Sequence, residues 1–479
     1  MSGHPPDPAP PAGPAPDEPQ GSWARRPAQP DHPGRWNPLT HQPYSGTSHF
    51  QRLWMSRGDM LDILHMIGRN LRHAWPAYRA YHEQRRREDP PQRVEAHQFG
   101  LGVTPTAANL DRLVERTEEL GVRSLLIRVP SWNPAPVLAL QPRLEALHRR
   151  GYRFLFGLVQ DRRATIEPAA WGRFVAEAAA AFDELEPTFQ LGQAVNRKKW
   201  GVWHPDEYLR MMEAVAHVRE RFPRARWLGP PVIDFEYHVT MYYLFAPRPF
   251  DFDGISSLLY VDRRGSPHGR QYGHFDLRRK IVLLRAIVET SPHPNVPLHL
   301  TEFNWPLRGA AAHAPAGRAV QTDEEGQAVY LAVYYLTALS VAGVAGATWW
   351  QLVAKGYGLC EDDEAWTRRP SFEALRTLID RAAGATVARL ARTRAGVRGF
   401  VLQAGDRATL VLYAESTPAR VSLPRLPDDA CDMRGGALRL ADATVEVGRA
   451  PIYLAFEGER PQDFVANCGL AMAGAPPAR

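Results

Sequence analysis

Short apolar runs alternate with longer amphipathic ones, eight times between about residue 97 and residue 352, and few folds accept that rhythm. The runs are HQFGLGV (97–103), SLLIRV (124–129), RFLFGLV (153–159), TFQLGQAV (188–195), RWLGPPVI (226–233), GISSLLYV (254–261), PLHLTEF (297–303) and GATWWQL (346–352). Between them, segments such as NLDRLVERTEEL and LRRKIVLLRAIVET repeat apolar residues at helical spacing. Runs this short read as buried strands, and strands that alternate with helices read as parallel β/α units. Eight such units in roughly 285 residues match a (β/α)8 barrel, which takes about 250 residues plus insertions. The expected fold class is therefore α/β, a (β/α)8 TIM barrel over residues 96–380.

The flanks have other textures. Residues 1–45 form a Pro-, Gly- and Ala-rich tail that lacks the aliphatic content to fold, so disorder is expected. Residues 46–95 form a helical leader with Met60, Leu61, Leu64, Ile67 and Leu71 at helical spacing, followed by the cluster Arg85, Arg86 and Arg87. The apolar face is expected to pack on the barrel; the alternative is peripheral contact of this N-terminal helix with an anionic membrane surface. Residues 381–479 carry short alternating runs such as ATLVLYAE and TVEV broken by Gly, Pro and Asp, which predict a small antiparallel β domain and a C-terminal tail.

Composition removes several functions. Fifty-eight basic against 52 acidic side chains leave a net charge of only +6, so nucleic acid is not implied as a partner. Cys360, Cys431 and Cys468 are far apart, and with no Cys/His ligand spacing neither a disulfide framework nor a metal is expected; no phosphate-binding glycine loop calls for a cofactor. The polar, proline-rich N-terminus lacks the apolar core of a secretory signal, which points to the cytoplasm. Leu331 to Trp350 imitates a membrane span, but Gly343 and Gly346 divide it into a buried helix and a buried strand, so no transmembrane span is expected.

Chemistry concentrates at the ends of the predicted strands. The stretch VPLHLTEFNWPL (296–307) delivers Glu302 and Trp305 at the downstream end of the seventh strand, which in a parallel barrel is the face where active sites lie. Arg128 ends the second strand and Tyr260 the sixth, while Gln193 and Asn196 follow the fourth. Trp132, Trp200, Trp203, Trp305, Trp349 and Trp350 fall near the same rim, where indoles can stack on sugar rings or simply fill the core. Of Trp349 and Trp350 only one can face inward, because neighbours on a strand point to opposite sides.

FQLGQAVN (189–196) together with HLTEFNW (299–305) resembles the clan-A retaining glycoside hydrolases, a (β/α)8 group whose fourth strand typically reads like WEIGNEPN and whose seventh reads like TEFGW or TEWNW. The resemblance covers about residues 97–380. It implies an oligo- or polysaccharide partner, Glu302 as nucleophile, and Arg128 and Tyr260 as its supports. It also implies two departures. Ala194 stands on the clan's acid/base glutamate, and Leu258 stands where a histidine is common. Asp161, Asp234 and Glu236 are the nearest substitute acids by topology, with Asp262 closer to Glu302. The resemblance thus implies a glycoside hydrolase-like protein with weak or altered hydrolysis. The alternatives are a non-catalytic carbohydrate-binding scaffold in polysaccharide assembly, or transglycosylation from an activated donor.

Overall fold

The computed structural model describes residues 36–37, 42–43, 59–87, 89–261, 265–309, 321–390 and 396–458. Most of the proline-rich tail, the start of the leader and Asp262 lie outside the described residues. Eight parallel strands form the centre: β1 (Phe99–Val103), β2 (Ser124–Pro130), β3 (Arg153–Val159), β4 (Thr188–Leu191), β5 in two pieces (Arg226–Leu228 and Val232–Ile233), β6 (Ile255–Leu258), β7 (Leu298–Phe303) and β8 (Val344–Trp349). Each neighbours its successor, and β8 pairs with β1 (Trp349 opposite Leu101), so the sheet curls on itself.

Closure happens within β5. Its first piece pairs with β4, placing Gln190 opposite Leu228, and its second pairs with β6, placing Ile233 opposite Leu258. The break falls at Gly229-Pro230-Pro231, where two consecutive residues lack the N–H a ladder needs. A bridge from Leu228 to Gly254 and the bond from the Gly229 N–H to the Gly254 carbonyl (3.2 Å) carry the ring across the gap.

Helices cover the outside. After the leader helix α1 (Asp59–Arg86) come α2 (Leu110–Leu120), α3 (Gln141–Arg149), α4 (Pro168–Phe182), α5 (Pro205–Arg221), α6 (Tyr237–Leu244), α7 (Leu277–Glu289), α8 (Glu324–Leu339) and α9 (Pro370–Ala382). Helix α8 is buried on nearly every side, which explains its uninterrupted apolar sequence. Among the described residues no helix is long and apolar enough to cross a membrane.

Beyond α9 the chain builds an antiparallel sheet ordered Asp429–Cys431, Ile452–Glu457, Arg407–Ala414, Val397–Ala404, Thr386–Arg389 and Gln92–Arg93. The last strand comes from before the barrel. The chain thus enters the barrel from the edge of this second sheet, and the Val94 N–H donates to the Ala385 carbonyl at 2.8 Å beside it.

Helix α1 lies against α6 and α7 through the face opposite to the expected one. Asn70 donates to the His238 carbonyl (2.7 Å), Tyr81 bonds the His274 ring (2.7 Å), and Ala77 and Tyr81 are buried. Met60, Leu61, Leu64, Ile67 and Leu71 point to solvent. The inward face is mixed: Met66, Ala77, Ala80 and Tyr81 pack on the core, while Asn70 and the Tyr81 hydroxyl bond polar partners.

Candidate functional site

Glu302 is the next-to-last residue of β7 and is only 4% exposed. The pairing of β7 with β8 shifts register between Leu300 and Phe303, a local irregularity of the kind that re-aims a side chain. Three barrel strands or their ends converge on its carboxylate. Arg128 of β2 donates to Oε2 at 2.5 Å, Gln193 after β4 donates its side-chain N–H to the same oxygen at 2.7 Å, and the Tyr260 hydroxyl after β6 donates to Oε1. Burial pushes the Tyr260 hydroxyl well above the usual phenol range, and Glu302 beside it adds to that shift, so the phenol stays a donor.

Each support is itself supported. The Arg128 guanidinium lies over the Trp350 ring at 3.6 Å, a cation–π contact shielded from water. Gln193 accepts from Gln190 (3.0 Å), which accepts from Ser256 (2.7 Å), which bonds Thr301 (2.8 Å), the neighbour of Glu302. This relay fixes which end of the Gln193 amide faces the carboxylate. Gln160 accepts from the Gln193 N–H and donates to the Gln193 and Trp200 carbonyls, clamping the turn that follows β4.

The two sequence departures meet in space. Ala194 and Leu258 belong to one apolar cluster with Val159, Trp200 and Tyr260, and Trp132 and Ile233 pack on it. Ala194 is 0% exposed and adopts a left-handed backbone, with φ of 44°. A packed apolar surface thus surrounds Ala194, and Tyr260 carries it up to Glu302.

The three substitute acids have other partners. Asp161 is buried and caps the short helix Arg162–Ile166 by accepting from the Ala164 N–H (2.7 Å); burial raises its pKa, while that bond opposes the rise. Asp234 and Glu236 both grip Arg197, at 2.5 and 2.6 Å. Asn196 bonds Ile233 and Glu236, so it ties the β4 turn to β5. Trp305 and Trp349 face the helix layer beside Phe303 and Tyr334, and Trp200 and Trp350 are buried within the mouth. Trp132 and Trp203 are half-buried, which leaves them the more accessible indoles of the set.

One group was not singled out by the sequence. Lys199, in the one-turn helix Lys198–Trp200 after β4, is exposed as a residue, yet its ammonium pKa is lowered. Desolvation is the main cause, Arg197 and Arg128 add to it, and Glu302 and Asp234 oppose it. In sequence RKKWGVWH (197–204) reads as cations beside the rim, either able to meet a phosphate, sulfate or uronic acid on a glycan or forming a solvated basic loop. The path of that loop brings the Lys199 charge within electrostatic reach of Glu302, which no local pattern encodes.

No family model matches the chain, and no curated protein matches it. Solved structures similar to it include a GH51 arabinofuranosidase from Xanthomonas axonopodis pv. citri, with 15% identity over 78% of this chain and 96% of that one and a TM-score of 0.46. An alpha-amylase from Lactobacillus plantarum shares 13% identity over 75% of this chain and 99% of its own, at a TM-score of 0.44. A fungal beta-1,4-galactanase shares 13% over 59% and 99%, at 0.43. These structural neighbours are glycoside hydrolases. Similarity at this level assigns no chemistry to the present chain, whose reading rests on its own side chains.

Proposed function

We propose that this protein engages a glycan at the C-terminal mouth of its barrel, with Glu302 in the nucleophile position of a retaining, glycosidase-like site and with hydrolysis impaired because position 194 holds no acid. The observation that carries this reading is the grip of Arg128, Gln193 and Tyr260 on one buried carboxylate. Three donors and no acceptor face it, the set that an ionised carboxylate takes. A carboxylate so oriented can attack an anomeric carbon: the C1–O bond to the leaving group breaks, its electron pair leaves with that oxygen, and a glycosyl ester forms. A leaving group that is a weak base departs without a proton. An ordinary sugar does not, and Lys199, on the loop after β4 with an ammonium whose pKa burial lowers, is the candidate donor.

The apolar cluster around Ala194 and Leu258 favours a second reading, a binding protein that kept the carboxylate for recognition and closed the acid's place. Dinitrophenyl glycosides with and without azide, assayed with the wild type, Glu302→Gln and Lys199→Met, separate the two. Turnover that vanishes in Glu302→Gln and rises with azide supports the enzyme. If Lys199→Met lowers turnover of a poor leaving group by about 10²-fold or more and barely changes dinitrophenolate release, Lys199 is the proton donor. Absence of turnover across a panel of sugars, with glycan binding retained, overturns the catalytic reading.

A further inference from the structure

Eleven large apolar side chains are exposed among the described residues, and eight of them sit on α1. Met60, Leu64, Ile67, Leu71, Trp75 and Tyr78 form a continuous outward stripe, each between 52% and 72% exposed, with Leu61 and Ile63 beside it. The spacing of three and four residues keeps them on one helical face. From Met60 to Tyr78 that face runs about 27 Å at 1.5 Å per residue. Gly68 marks the same side, for a Cβ there would meet nothing within 4 Å.

Nothing about α1 requires this surface to be apolar for the fold. The helix is anchored by its other face, through Asp62 on His204 (2.7 Å), Asn70 on His238, His73 stacked on Phe245 (4.0 Å) and Tyr81 on His274. The exposed charges tell what the stripe meets. Arg72, Arg79 and Arg86 follow at intervals of seven along one edge of it, Arg87 adds a fourth cation, and all four are exposed. Of the described carboxylates between Met60 and Arg87, Asp62 pairs with His204, and Glu83 stands beyond the stripe near Arg86. An antiparallel pair of copies joined through the stripe would set these rows of arginine into one shared rim, where like charges repel. An anionic surface meets them with opposite charge. The stacked Trp75 and Tyr78 rings (5.7 Å) supply the aromatic pair suited to the boundary between headgroups and acyl chains.

We propose that the outer face of α1 lies in the plane of an anionic phospholipid bilayer, with the stripe in the acyl boundary and the Arg72, Arg79 and Arg86 row on the headgroups. The barrel then sits on the membrane through α6 and α7. The end of α1 near His204, at the start of α5, stands on the side of the barrel that carries Glu302.

Flotation of the full chain with phosphatidylcholine vesicles, with and without phosphatidylglycerol, tests this. The expected result is binding to the anionic vesicles that weakens with salt. Leu64→Glu with Leu71→Glu should abolish it without lowering the Tm, since both side chains already face water. Arg72→Gln with Arg79→Gln should weaken it by roughly 25-fold, at about fivefold for each arginine near a charged surface. No binding to either vesicle overturns the proposal. So does binding that survives the double glutamate variant, or a wild-type dimer that this variant splits while vesicles are ignored, which would make the occupant a second copy of the chain.

Discussion

Arg128 and Glu302 form an ion pair whose side chains are nearly closed to water, and such a pair holds only while both charges are present. Removing one leaves the other buried without its counter-charge. Arg128→Leu should therefore lower stability by about 3–5 kcal/mol, read from the midpoint and slope of urea unfolding. Arg128→Lys should recover only part of it, because a point charge neither stacks on Trp350 nor presents a fork to the carboxylate. Full recovery by lysine would show that charge alone, not planar geometry, holds the site. Much of this centre was legible in the sequence. Glu302, Arg128, Tyr260 and Gln193 all stand near the downstream ends of short apolar runs, and strand ends of a parallel barrel share one face. Gln190, Ser256 and Lys199 were not legible. A polar residue inside an apolar run does not announce its partner, and Lys199 depends on the path of a loop.

At the scale of elements, tight approach of β1 to the residue after β8 fixes the floor of the site. A Cβ built on Gly102 would stand 2.3 Å from Trp350 Cε3 and 2.9 Å from its Cζ3, inside any real contact. The indole cannot yield freely, for Arg128 lies on it and Leu126 and Tyr357 pack around it. Gly102→Ala should cost about 1–3 kcal/mol by overpacking and should cut any activity that needs Glu302, since the Arg128 guanidinium moves with the ring. A variant with unchanged Tm and unchanged kcat/KM would show that Trp350 has a second place to go. The eight strands were legible because an apolar run bounded by turn residues has few other readings. The break in β5 was missed, RWLGPPVI reading as one strand although its two prolines lack the N–H a ladder needs. The strand Gln92–Arg93 was not legible, since two polar residues carry no periodicity. The orientation of α1 was misjudged for a physical reason: an aliphatic stripe predicts burial only when a matching groove exists, and here the mixed face of Met66, Asn70, Ala77, Ala80 and Tyr81 packs on the barrel instead.

The whole molecule has two ends, and they respond differently to acid. At the end remote from Glu302, His299 stands early in β7, with its ring against Gly254 and a cavity of about 170 Å³ lined also by His97, Arg153 and Arg226. Burial lowers the His299 pKa to about 4, and the Arg226 guanidinium adds to that shift; His97 is lowered too, by burial and then by Arg153. The unfolded chain carries an ordinary histidine near 6.5, so between about pH 6.5 and about pH 4 it binds a proton that the folded barrel refuses. Stability should thus be unaffected by His299 above pH ~6.5 and fall as the pH drops through that window, by up to roughly 3 kcal/mol from this residue. Urea midpoints taken between about pH 7 and about pH 4.5 should show the fall in the wild type, and His299→Gln, which has no proton to gain, should flatten most of it. An equally steep fall in His299→Gln would move the acid sensitivity elsewhere, with the carboxylates of the ion pairs Arg381–Asp429 and Arg162–Glu207 next to test, since each holds its carboxyl below the ordinary range and loses that stabilisation as protons bind. The expected order follows from where the charges lie. His299 begins to cost stability below its unfolded pKa, before carboxylates with depressed values take up protons, so the fall between about pH 6.5 and about pH 4 belongs to the His299 end of the barrel.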